Sequence, residues 1–171
     1  NLLVLSETNL TCSTPAHPAG FVDVSLTAAG GTATRVGAYR YVDLPVVSDV
    51  APAIGPSGGG ASVTVTGANF VTVTQVRFGE TPATNVQVVS ETTLTCSTPP
   101  HLAGFVGVSV TAAGGTGTRP SAYRFIDPPV VTSVTPGVGP TTGGTSVTIA
   151  GANFVSISGV TFDTNPASNV Q

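Results

Sequence analysis

Residues 62–70 read "SVTVTGANF": serine and threonine alternate with valine for five residues, and the run then breaks on Gly67-Ala68-Asn69-Phe70. Strict alternation of apolar and small polar side chains is the signature of a strand with one face turned inward. The same reading extends in both directions. "VVSDV" (46–50), "TQVRFG" (74–79), "NVQVVS" (85–90), "TTLTCS" (92–97), "FVGVSVTA" (105–112) and "SAYRFI" (121–126) are short apolar-polar runs divided by Gly, Pro, Asn or Ser. Seven such strands with no helix signal predict an all-β fold, a sandwich of two sheets with interdigitated inward side chains.

The pattern recurs at a fixed interval. Cys12 returns as Cys96, His17 as His101, Tyr39 as Tyr123, Gly67 as Gly151 and Phe70 as Phe154, each 84 residues on and without a gap. Roughly three aligned positions in five are identical, far more than a shared fold alone preserves. The chain of 171 residues therefore consists of tandem units.

Composition bounds the function. Charged residues make up 8%, the formal net charge is −3, and the five basic residues are all arginines spread over the repeats. That is no footprint for a nucleic-acid backbone, which needs clustered cations. Hydrophobic residues reach 40%, with 21 Gly and 14 Pro, the mark of a turn-rich β chain. No apolar run approaches the roughly 18 residues needed to insert in a bilayer as a helix.

"VAPAIGPSGGGASVTVTGANF" (50–70), "VRFGETPATNVQVVSETTLTCSTPP" (76–100), "AGFVGVSVTAAGGT" (103–116) and "AYRFID" (122–127) together resemble the IPT/TIG domain. This is an immunoglobulin-like fold shared by plexins, some transcription factors, starch-acting enzymes and many bacterial surface proteins. The resemblance implies tandem immunoglobulin-like sandwiches and leaves activity open.

Register divides the chain. With a unit running from Pro45 to Asp127, residues 45–127 are a complete domain, residues 1–44 hold the last four strands of a unit, and residues 128–171 hold the first three. Each flank alone would bare an apolar face and a strand edge. Three arrangements would cover them: a longer tandem array continuing the chain, head-to-tail completion by neighbouring copies, or pairing of the two flanks within one chain. The first two build a linear assembly. The expectation is a secreted or cell-surface structural repeat protein forming a stalk or fibre, with itself as partner and with lateral filament contacts possible. The alternative is an adhesion module binding glycans or host proteins through its loops; near-identical loops such as "TPAHPAG" (14–20) and "TPPHLAG" (98–104) favour the spacer.

Individual residues are read the same way. Cys12 and Cys96 follow Leu10 and Leu94 by two, which puts them on the inward face as buried free thiols. His17 and His101 sit in Pro-rich loops that face solvent. By parity Phe21 and Phe105 point outward, and with the two histidines they are the candidate inter-domain or inter-filament contacts. Tyr39, Tyr41, Tyr123 and Phe125 face the core, leaving Arg40 and Arg124 solvated. Gly59, Gly60, Gly143 and Gly144 supply positive φ, while Asn69 and Asn153 bond local backbone in a turn. Asp43, Asp127, Glu7 and Glu91 are too scattered for calcium, no cofactor motif occurs, and no nucleophile lies beside a base, so no enzyme is expected.

Overall fold

The computed structural model describes residues 2–170; Asn1 and Gln171, the outermost residues of the two expected flanks, lie outside it. Residues 2–44 form two hairpins, β1 (Leu3–Val4) with β2 (Leu10–Thr11) and β3 (Gly20–Ala28) with β4 (Gly31–Tyr41). Nine strands follow: β5 (Val46–Ala51), β6 (Ile54–Pro56), β7 (Ser62–Ala68), β8 (Gln75–Phe78), β9 (Thr81–Pro82), β10 (Thr84–Ser90), β11 (Thr93–Ser97), β12 (Gly104–Ala112) and β13 (Gly115–Ile126). The last segment contributes β14 (Val130–Thr135), β15 (Thr148–Ala152), β16 (Thr161–Phe162) and β17 (Asn165–Pro166).

The nine central strands make a sandwich. One sheet has the order β10-β11-β7-β5 and the other β6-β13-β12-β8-β9. Alternation decides which side chains fill the space between them. Along β7, Val63 and Val65 are buried while Thr64 and Thr66 are not; along β12, Val106, Val108 and Val110 are buried between less covered neighbours. Phe78, Tyr123 and Phe125 pack edge to face at the centre, with ring centroids 5.1 Å (78–123), 6.2 Å (78–125) and 4.9 Å (123–125) apart. Phe70 and Leu94 close the core from the other sheet.

All seven expected strands are present in the central sandwich, together with two that alternation does not reveal. β6 is three residues long and pairs in parallel with β13, Arg124 opposite Ile54. It arises because the chain leaves β5 at Ala51, turns through the Ala51–Pro52 bond and crosses to the opposite sheet. β9 is a two-residue return onto β8. Gly59 and Gly60 adopt φ of 74° and 81°, and Gly143 and Gly144 adopt 77° and 84°, so the turn before β7 recurs before β15. Gly67 has a second reason to lack a side chain: a methyl there would overlap the Val46 carbonyl oxygen and the Phe70 ring, because β5 lies directly across a register shift.

Burial breaks the periodicity. Val108, Val110 and Tyr123 are fully buried, yet Val24, Leu26 and Tyr39, one period earlier in β3 and β4, are 51%, 49% and 43% exposed. Phe70 and Phe78 are likewise buried, while Phe154 and Phe162 are 42% and 49% exposed. The β3–β4 hairpin keeps the pairing of β12–β13, with Phe21 opposite Arg40 as Phe105 is opposite Arg124. What differs is the opposing sheet, which β3 and β4 do not meet within residues 2–44.

Candidate interaction site at the unit junctions

The route between residues 2–44 and the central sandwich is held at several points. Pro45 is buried at the entrance to β5, and the linker passes so close to the β12–β13 hairpin that a methyl on Gly114 or Gly117 would overlap the carbonyl oxygens of Asp43 or Pro45. Asn69, at φ 61°, donates from Nδ2 to the Leu44 carbonyl at 3.0 Å; Asn153, also at φ 61°, donates to Pro128 at 3.1 Å. These asparagines were expected to bond within their own turns. They reach back 25 residues instead and clamp the linker in front of their own strand pair.

Across the same junction Arg40 meets Glu91 through two parallel bonds, Nη1 to Oε1 at 2.6 Å and Nη2 to Oε2 at 2.8 Å. Arg40 is thus not simply solvated, as parity alone suggested. Its guanidinium also lies over the Phe21 ring, 5.5 Å from the centroid, because Phe21 is its cross-strand partner between β3 and β4. Fork-to-fork pairing fixes direction as well as distance. Glu91 presents its carboxylate from a turn that is itself pinned: Phe70 N donates to the Glu91 carbonyl at 2.9 Å, and Gly67 N to the Thr92 carbonyl at 2.8 Å.

The pair is open to solvent, which limits its energy and makes it titratable. Hydrogen bonding to Arg40 holds the Glu91 carboxyl below its ordinary value; partial desolvation opposes this and charge attraction adds to it. The same bond raises the Arg40 pKa, so Arg40 stays charged at any working pH and Glu91 alone titrates. A depressed carboxylate contributes above its unfolded-state pKa, and the contribution is lost as pH falls through the folded value. The angle between β3–β4 and the sandwich is therefore expected to be narrowly distributed at neutral pH and to broaden in acid, once the pH has fallen through the lowered Glu91 value. Residual dipolar couplings measured on both sides of Pro45 check this, and identical alignment of the two parts in neutral and in acid solution would contradict it.

At the other end of β13, half of this arrangement recurs. Arg124 lies over its cross-strand partner Phe105 at 5.4 Å from the ring centroid. Beside them a cleft of ≈ 310 Å³ is bounded by Gly104, Phe105, Arg124, Asp127, Asn153 and Val155. Phe21 and Phe105 are 70% and 66% exposed, each with an arginine over one face. His101 does not stand free at a loop tip: its ring stacks on Phe125 at 5.0 Å and its Nδ1 sits 2.8 Å from the Leu102 carbonyl. His17 repeats that geometry on Tyr41 at 5.1 Å, with Nδ1 2.9 Å from the Pro18 carbonyl. Both imidazoles brace a loop against an aromatic ring.

The two thiols part company. Cys96 is buried, and desolvation pushes its pKa up to about 11. Cys12, placed inward by the same leucine spacing, is exposed, because no second sheet covers β2 within residues 2–44. Among the described residues no group of three or more His, Cys, Asp or Glu comes together to hold a metal, and no helix is long and apolar enough to cross a membrane. Reading the sequence alone missed the Arg40–Glu91 pair. Its only signal was that arginine and glutamate each recur with the period in a chain that carries few charges.

Comparison with known proteins bears on the fold. Residues 45–125 and 129–171 match the IPT/TIG domain family. Protein MGA2 of Saccharomyces cerevisiae is 43% identical over 70 residues, a stretch that is 40% of this chain and 6% of MGA2. The plexin A4 full extracellular region superposes with a TM-score of 0.54 at 22% identity, over 83% of this chain and 12% of that one. The chain thus corresponds to a small part of either protein's length.

Proposed function

Because the chain belongs to the IPT/TIG domain family, which is defined by a fold and not by an activity, we propose that it is a structural repeat module of an extracellular stalk or fibre. In this reading residues 1–44 are the last four strands of one sandwich and residues 128–171 the first three of another, completed by a neighbouring copy or by further repeats. One observation carries it: Val108, Val110, Tyr123, Phe70 and Phe78 fill the core, and their counterparts 84 residues away, Val24, Leu26 and Tyr39 in one flank and Phe154 and Phe162 in the other, are 42–51% exposed. Apolar surface on that scale is ordinarily covered in a working assembly.

The junction supports a mechanical role. Pro45 buried in its socket, the asparagine clamp and the Arg40–Glu91 fork leave little room for a hinge. A spacer that transmits force or sets distance needs that stiffness. The extracellular part of the reading leans on low charge, on Thr, Ser and Gly richness, and on the likeness to a plexin region described as extracellular. The loop-binding alternative has less to stand on, since the two most exposed phenylalanines, Phe21 and Phe105, each already carry a guanidinium on one face.

Electron microscopy of the purified 171-residue chain over a range of concentrations tests the proposal. Unbranched filaments of uniform sandwiches are expected as concentration rises. Single particles of constant size throughout would sink completion by neighbouring copies.

A further inference from the structure

Resting on that reading, we infer that Arg124, stacked on Phe105, receives Glu7 of a second copy of this chain, whose residues 2–44 close over the apolar face of residues 128–170. The two junctions are built from the same parts. At the first, Phe21, Arg40, Asn69 and Glu91 act together; three of the four recur one period on as Phe105, Arg124 and Asn153, with ring-to-guanidinium distances of 5.5 and 5.4 Å and clamp bonds of 3.0 and 3.1 Å. The fourth part, the acid, recurs one period back, as Glu7. Among the described residues Arg124 has no acidic partner.

Glu7 is already held for the task. Its turn copies the turn that presents Glu91: Ser6 Oγ lies 3.1 Å from Thr8 Oγ1 and accepts from Thr8 N at 3.2 Å, against 3.0 and 3.2 Å for Ser90 and Thr92. Docked in the register of the central sandwich, the carbonyls of Glu7 and Thr8 would face the amides of Phe154 and Gly151, as those of Glu91 and Thr92 face Phe70 and Gly67. The carboxylate would then enter the cleft of ≈ 310 Å³ that lies between Arg124 and Asn153. Val24, Leu26 and Tyr39 from one copy would meet Phe154 and Phe162 from the other, covering faces that are each about half exposed.

Geometry directs the contact to another molecule. The chain enters the central sandwich beside Gly114–Gly117 and leaves it after Ile126, so β13 alone separates the two junctions by about 23 Å from Gly117 to Arg124. Glu7 belongs to the segment before the entrance. A contact between two different patches is heterologous, and repeated in each copy it yields a filament wherever the rotation between copies does not close into a ring. Of the substitutions that distinguish the copy-to-copy junction from the internal one, Ala33 stands where Gly117 packs under the Pro45 carbonyl, so the preceding copy's linker must seat further out there.

Charge reversal separates the latch from the assembly. The measurement is the concentration at which the 171-residue chain first sediments as polymer, with circular dichroism confirming that each variant folds. Glu7→Arg and Arg124→Glu are each expected to raise that threshold roughly tenfold, since like charges meet in the contact. The double variant should return to within about twofold of the unmodified chain. If the unmodified chain polymerises and Glu7→Arg polymerises equally well, or the double variant is worse than either single one, the latch is wrong and the fibre reading survives. A chain that never polymerises overturns the latch and, with it, completion of the flanks by neighbouring copies.

Discussion

Phe78→Ala is expected to destabilise the central sandwich by about 3–5 kcal/mol, while Phe162→Ala changes the unfolding of the dilute chain by less than about 0.5 kcal/mol. The two residues occupy the same position one period apart, in "VRFGETPATNVQ" (76–87) and "VTFDTNPASNVQ" (160–171). Phe78 is fully buried against Tyr123 and Phe125, so its removal forfeits ring burial, two edge-to-face contacts and the volume they enclose. Phe162 is 49% exposed on β16 and has little to lose. Urea unfolding of both variants at low concentration measures the difference. The proposal adds a second expectation: Phe162→Ala should be nearly silent in the dilute chain and should impair polymerisation, because its ring is then the plug of a sandwich made by two copies. Equal losses for the two variants in dilute solution would mean that β16 already has a core of its own.

Thiol labelling is expected to separate Cys12 from Cys96 by three orders of magnitude or more in rate. Cys96 is buried among valines and leucine, and with its pKa at about 11 only about one thiol in a thousand is ionised at pH 8. Reagent must also wait for the sandwich to open. Cys12 lies exposed immediately after the short strand β2. Mass spectrometry after a pulse of iodoacetamide should therefore find the label on Cys12 alone. In polymer the expectation reverses for Cys12, which would take the covered place that Cys96 holds in the central sandwich. Undiminished labelling of Cys12 in sedimented polymer would show that residues 2–44 remain uncovered there, and strand completion would be the wrong account of the contact.

Much of the fold was legible because the relevant forces act over short spans. Val63, Val65, Leu94, Cys96, Val106, Val108 and Val110 announce their face by alternation, which any strand imposes on its own neighbours. The glycines before β7 and β15 declare a turn because few other residues tolerate positive φ there. β6 was not legible: three residues, "IGP" (54–56), carry no alternation, and their pairing with β13 depends on a crossover between sheets. The Asn69 clamp escaped for a similar reason, since an asparagine at a turn offers the same local bond whether or not a linker 25 residues upstream lies closer.

The candidate site was half visible. Phe21 and Phe105 could be picked out by parity as outward rings, and parity could not tell that Arg40 and Arg124 would lie over them. Arg40 and Glu91 are 51 residues apart and belong to different units, so their meeting depends on how one unit is tilted on the next.

Residue order alone settled the period of 84, the strand alternation and the identity of the side chains that seek cover, because each depends on near neighbours or on a copy at fixed spacing. Which of two identical side chains finds that cover was decided only in three dimensions. Phe78 and Phe162, or Cys96 and Cys12, differ by the presence of an opposing sheet a few ångströms away. Burial belongs to the pair of surfaces, and a single strand carries only one of them.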